Sequence, residues 1–234
     1  MERTLRLLGG KADDARLQRA AWVARCVGRG TSAPLRPEDI SALATTLNRH
    51  TVPRGAVAYG GDHHRPGVWI VRSGQLELSA GTGSGRAVVQ ILRGGDVDGD
   101  IQLLLDLPMP YTARALDDVE LLHLEREDFE RLLATSLPIA RRWLSSVAER
   151  LNTSHMRILG LLGRTLTQQT AQLLLDEATD GAITVPQRTL AAMLGVRRPS
   201  LNKVLKELEK DRLITLGYSA IAIVDEKGLT RRAG

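Results

Sequence analysis

Apolar positions change their period along the chain, and the changes divide it. Near the N-terminus Leu17, Ala20, Ala24 and Val27 recur every three or four residues and predict an amphipathic helix. Between about His50 and Leu124 the apolar residues come in short β-branched or alternating runs, as in Val68-Trp69-Ile70-Val71, Leu76-Glu77-Leu78 and Val88-Val89-Gln90-Ile91-Leu92, parted by glycine-bearing turns. Regular short strands of this kind predict a small barrel or jelly roll. From about Ser136 the helical period returns, with Pro138 in the first turn and Leu137, Ala140, Leu144, Val147, Leu151, Ser154, Ile158 and Leu161 on one line. The line is a narrow seam of two positions per heptad, which favours a helix paired with its own copy over one packed only on its own domain. Ser154 interrupts it. A hydroxyl there needs a partner, and either fixes register or touches a ligand beside the dimer axis. Gly160-Leu161-Leu162-Gly163 reads as a hinge, after which Thr165 and Gln168 have the spacing of a capping box that restarts a helix.

Residues 187–206, QRTLAAMLGVRRPSLNKVLK, place small and apolar side chains where a helix-turn-helix needs them. Ala191 lets two helices cross closely, and Gly195 suits the positive φ of the turn between them. Leu190, Leu194, Val196, Leu201 and Val204 then face inward, while Arg197, Arg198, Ser200, Asn202, Lys203 and Lys206 point outward at or just inside the start of the second helix, with Pro199 in its first turn. Leu213-Ile214-Thr215-Leu216, Gly217-Tyr218-Ser219 and Ala220-Ile221-Ala222-Ile223-Val224 predict a short hairpin, or wing.

A plain helical hairpin fits the same spacing, so charge has to decide. From Gln187 to the C-terminus there are ten Lys/Arg against five Asp/Glu; subtracting these from totals of 32 and 27 leaves 22 of each elsewhere. The whole excess of basic charge therefore sits in the last 48 residues, the footprint of a phosphate-binding domain. Aromatics make up only 3% of the chain, which argues against stacking platforms for single strands or RNA and for duplex DNA. The lone Cys26 excludes an intrachain disulfide and an iron–sulfur cluster, and reads as a small apolar residue rather than a sensor. Charges at Lys11, Asp13, Asp14 and Arg16 interrupt any signal core, and no apolar run is long enough to span a bilayer, so the expected location is cytoplasmic with no membrane partner. Gly81-Thr82-Gly83-Ser84-Gly85 lacks the lysine and following helix of a phosphate loop and reads as a hairpin loop. Asp62-His63-His64 lacks a third ligand, so no metal site is expected. No nucleophile–base pair or carboxylate dyad points to an enzyme.

The order barrel, seam helix, hinge, helix-turn-helix and wing resembles the Crp/Fnr family of bacterial transcription regulators over residues 41–234. The likeness is strongest in QRTLAAMLGVRRPSLNKVLKELEKDRLI and DEKGLTRRAG, good in AERLNTSHMRILGLLGRTLTQQTAQLLL, and visible in VRSGQLEL and RGGDVDGD. It implies an α+β chain: an N-terminal helical extension (1–40), a cyclic-nucleotide-binding-like jelly-roll barrel (41–135), a dimerisation helix and hinge (136–164), and a winged helix-turn-helix (165–234). The implied function is a homodimeric regulator of a near-palindromic operator, with RNA polymerase as a further partner. Arg198 and Lys203 match base-reading positions, and Arg188 is expected on phosphate; Pro199 stands where cyclic AMP receptors often carry Glu, a base reader that proline cannot replace. The dimer contact falls on Leu144, Val147, Leu151, Ser154, Ile158 and Leu161. In the family a Gly-Glu pair and an Arg followed by Ser or Thr hold the nucleotide; here the matching positions are Gly99-Asp100 and Tyr111-Thr112, with Arg114 as a substitute cation and Arg150, Ser154 and His155 on the helix beside them. Tyr111 brings no positive charge, and a buried phosphate without a cation leaves its desolvation unmatched, so cyclic AMP in the usual mode is not expected to bind tightly. The effector stays open, and so does a reading as a nucleotide-binding or protein-interaction module that does not touch DNA.

Overall fold

The computed structural model describes residues 11–27, 36–61, 65–82, 85–218 and 220–234; the side chains of residues 11–13 and 161 are not among those described. Asp62-His63-His64 and part of the Gly81–Gly85 loop lie outside the described residues. Two compact units emerge, one of residues 1–80 and 90–152, the other of 81–89 and 153–234.

The first unit is built on two antiparallel four-stranded sheets. Strands β1 (Leu47–Val52), β8 (Val119–Glu125), β3 (Gly67–Ser73) and β6 (Val97–Asp98) form one; β2 (Val57–Tyr59), β7 (Thr112–Ala115), β4 (Leu76–Ala80) and β5 (Ala87–Leu92) form the other. The long-range order, with β1 beside β8 and β2 beside β7, is that of a jelly roll. Tyr59, Trp69, Val71, Leu76, Leu78, Ala113, Ala115 and Leu121 fill its interior. Strand β3 is buried on both faces, because its alternate residues Val68 and Ile70 point out of the barrel into a second core. That core is closed by helices α1 (Lys11–Cys26), α2 (Pro37–Thr46), α4 (Arg126–Thr135) and the start of α5 (Leu137–Leu161). The apolar face of α1 is used as its period predicts, with Ala20, Val23, Ala24 and Val27 buried, so this helix caps the barrel sheet. Arg142 of α5 donates to Ala24 O at 3.0 Å and satisfies one of the last carbonyls of α1. Cys26 is only half-buried, but burial, the dominant cause, raises its thiol pKa to about 11, so it stays protonated and unreactive.

The second unit holds α6 (Leu166–Glu177), β9 (Ala182–Ile183), α7 (Gln187–Met193), α8 (Arg198–Lys210), the hairpin β10 (Ile214–Leu216) and β11 (Ile221–Ile223), and α9 (Glu226–Ala233). Its core is the inward set of the helices: Leu174, Leu190, Ala191, Leu201, Leu205 and Leu208 are all buried. Thr165 caps α6 in the expected capping box with Gln168. Strand β9 adds a third member to the wing, in the order β10-β11-β9, which two residues of β character could not announce in the sequence.

Candidate nucleic-acid interface and effector pocket

The turn between α7 and α8 is set by backbone chemistry. Gly195 has φ +64°, its N–H bonds Ala192 O (3.3 Å) and the N–H of Val196 bonds Ala191 O (3.0 Å). These are the paired closing bonds of a Schellman cap, in which a left-handed residue ends the helix and redirects the chain. Helix α8 then starts at Arg198 with Pro199, which has no N–H to satisfy, in its first turn and no side-chain cap; the N–H groups of Ser200 and Leu201 already close on Arg197 O at 3.0 and 3.3 Å. Leu201, Val204, Leu205 and Leu208 anchor one face, so the opposite face is fixed by geometry: Arg197, Arg198, Ser200, Lys203 and Lys206 are exposed, Asn202 half-buried, and Arg188 of α7 exposed nearby in sequence. Arg231 and Arg232 of α9 meet Asp225 and Asp211 at 3.9 and 2.9 Å, whereas the cations of the α8 face have no carboxylate partner among the described residues. Tyr218 at the wing tip is fully exposed.

In the barrel unit the expected pocket residues fall into different places. Gly99 takes φ +85° and is the N-cap of α3 (Asp100–Leu104). Asp100 is fully buried, and both oxygens of its carboxylate are held by groups of the chain itself. Trp143 Nε1 donates to its Oδ2 at 2.7 Å, Arg150 Nη1 donates to its Oδ1 at 3.1 Å, and Arg150 Nη2 closes on Oδ2. The same guanidinium donates to Val97 O at 2.9 Å. A buried carboxylate needs such compensation, and a bidentate arginine with an indole N–H supplies it from within the chain. Tyr111 is likewise engaged: its hydroxyl donates to Asp98 Oδ1 (2.6 Å), and Tyr59 donates to the other oxygen of the same carboxylate (2.9 Å). Burial raises the Asp98 pKa, and the two tyrosine hydrogen bonds oppose that shift.

Arg114 does not supply the missing cation. It lies on the outer side of β7, exposed, and donates to Gly55 O at 2.6 Å, because alternation along Thr112–Ala115 turns Ala113 and Ala115 inward. Thr112 is half-buried; Ser154 and His155 are exposed on α5 and belong with the second unit. Of the seam, Leu144, Leu151 and Ile158 are 70%, 56% and 55% exposed, and Val147 packs partly on the second core, outside the barrel interior. The side chain of Leu161 is outside the described set.

Sequence reasoning missed Asp98, Trp143, Tyr59 and a ring cluster at the end of the barrel. There Tyr59 stacks on Trp69 (centroids 4.9 Å apart), Trp69 lies 4.0 Å from His123, and His50 lies 5.7 Å from His123. Burial lowers the His123 pKa to about 4, with the neighbouring His50 and Arg65 adding to the shift. Beside this cluster is a cavity of about 250 Å³ lined by Tyr59, Arg65, Gly67, Gln102, Met109 and Arg126, among others. Among the described residues no group of His, Cys, Asp or Glu could hold a metal ion, and no helix is long and apolar enough to cross a membrane.

Two family models match the chain: the cyclic nucleotide-binding domain over residues 49–136 and the Crp-like helix-turn-helix domain over residues 168–232. An HTH-type transcriptional regulator named Cmr from Mycobacterium tuberculosis is 58% identical over 225 residues, covering 96% of this chain and 92% of that protein. The cyclic AMP receptor protein of Thermus thermophilus is 25% identical over 194 residues, covering 81% and 89%. Among solved structures, FixK2 from Bradyrhizobium japonicum superposes with a TM-score of 0.69 at 19% identity, covering 80% of this chain and 98% of that one, which speaks for the fold. With a nucleotide-binding-type barrel in one unit and a capped, cation-faced helix pair in the other, the chain belongs to the Crp/Fnr family of transcriptional regulators.

Proposed function

We propose that the protein works in the cytoplasm as a homodimer that reads a near-palindromic duplex operator, with RNA polymerase as a further partner. The working parts are the extension 1–40, the barrel 41–135, the dimer helix 136–164 and the winged domain 165–234. The observation that carries the reading is the α8 face, where Arg197, Arg198, Ser200, Lys203 and Lys206 are exposed around an uncapped helix start. An anionic backbone neutralises these cations, and the N-terminal end of α8 then meets base edges in the major groove. Exposed leucines on the α5 seam supply the two-fold contact, which spaces half-sites by about one helical turn, roughly 10 base pairs.

Fluorescence anisotropy on operator fragments recovered from genomic DNA tests this. Replacing Arg198 or Lys203 with Ala is expected to relax base preference, each at a cost of about 1–3 kcal/mol, whereas Arg188→Ala weakens every sequence alike and flattens the salt slope. Base preference unchanged in Arg198→Ala would refute the recognition-helix assignment; binding without salt dependence would point instead to a protein-docking module. Cyclic AMP, the ligand in the name of the Thermus relative, is expected to bind weakly in the usual mode, because Asp100 is already held by Arg150 and Trp143 and Tyr111 brings no charge to a phosphate. Calorimetric titration with cyclic AMP measures this directly.

A further inference from the structure

The place where the family pattern puts a nucleotide is occupied by the chain's own groups, yet an open cavity lies against α3. Gln102 and Leu103 of α3 form one wall of this cavity of about 250 Å³. That is just below the range of roughly 300–1,000 Å³ usual for drug-sized ligands, and so selects a small occupant. Two features define the chemistry it would take. The first is a cation without an anion: Arg65 touches the His50 ring (Nη1 to Nε2 3.3 Å) but no carboxylate among the described residues. The second is Arg126, which holds Asp106 at 3.0 Å and Glu130 at 3.4 Å. Asp106 is itself a cavity residue, 87% exposed, and sits at φ +51°, a left-handed conformation that costs a non-glycine residue energy. Between these polar points the wall is apolar, with Leu103, Leu107, Pro108 and Met109.

We propose that this cavity is an effector site for a small organic carboxylate with an apolar body. Its carboxylate binds Arg65 and takes Arg126 from Asp106, and its body lies on Pro108 and Met109. In the unliganded protein Asp106 stands in for the ligand's carboxylate. Displacing it releases a strained loop position next to α3, and α3 carries Asp100, whose partners Trp143 and Arg150 belong to α5. The proposal rests on the regulator reading above, because an effector needs an output.

The test is calorimetric titration of the full-length protein with 4-hydroxybenzoate and with hexanoate, each against its primary amide, followed by operator binding with and without the carboxylate. At least one carboxylate is expected to bind at millimolar concentration and its amide not. Loss of a charge-assisted pair in Arg65→Gln or Arg126→Gln should weaken binding by about tenfold. Asp106→Asn removes the competing anion and should tighten binding severalfold, an effect that a damaged fold does not produce. Operator affinity should change severalfold at saturating carboxylate. No binding of either carboxylate, equal binding of acid and amide, undiminished binding in both arginine variants, or weaker binding in Asp106→Asn each overturns the site. Unchanged operator affinity at saturation overturns its effector role. Operator binding measured without any carboxylate keeps the two readings apart: a protein that binds DNA but no carboxylate loses only this inference, and one that binds carboxylate but no DNA loses the regulator reading.

Discussion

His123 has no solvent-exposed side-chain surface, sits in a ring cluster with Trp69 and His50, and has its pKa lowered to about 4, chiefly by burial. An unfolded chain takes up this proton near pH 6.5, while the folded one refuses it until about pH 4. Between those limits the unfolded state binds more protons, so the barrel's stability is fully present above pH 6.5 and falls as the solution is acidified toward pH 4. The loss attributable to this ring is up to about 3 kcal/mol, and thermal melts at pH 7.5 and pH 5 should show a smaller pH difference in His123→Gln than in the parent. Gly67 guards the same ring: a Cβ there would lie 2.2 Å from His123 Nε2, so Gly67→Ala is expected to destabilise the barrel by at least about 1 kcal/mol in chemical denaturation. None of this could be read beforehand. Asp100 opens a short helix, but its partners Arg150 and Trp143 lie some forty to fifty residues away, and no local pattern tells which of many arginines will meet it.

At the scale of elements, periodicity was a good guide wherever one face of a helix or strand was buried. The capping box of α6 and the Gly195 turn stand where spacing put them, because each is a local backbone requirement. What spacing hid was the second face of α5, where Ile139, Trp143 and Ser146 are buried in the barrel unit while Leu144 and Leu151 stay exposed. Leu151→Glu is therefore expected to leave the barrel core intact and abolish dimerisation, seen as a halved mass in light scattering after size exclusion. The end of α8 is a second Schellman cap, with bonds from Leu213 N to Leu208 O (3.0 Å) and Arg212 N to Glu209 O (2.9 Å), but its left-handed position at φ +59° holds Arg212 instead of glycine. Arg212→Gly should stabilise the winged domain by about 0.5–1 kcal/mol in urea denaturation, the strain relieved being partly offset by the freer unfolded chain.

For the whole molecule, the order of parts along the chain matters as much as their folds. The described exposed positions of the seam run from Leu144 to Ile158, ahead of α6 and of the proposed recognition helix α8 in the chain. The surface proposed for self-association is therefore synthesised before the proposed DNA-reading surface and does not depend on it. A product that stops after residue 164 would keep the partner-seeking leucines and lack α8. Mixed with intact chains, it would form one-armed pairs that reach a single half-site, and the loss of two-site contact would remove most of the operator affinity. Expressed beside the normal protein, such a fragment should act as a dominant poison, silencing the intact copies in proportion to its dose.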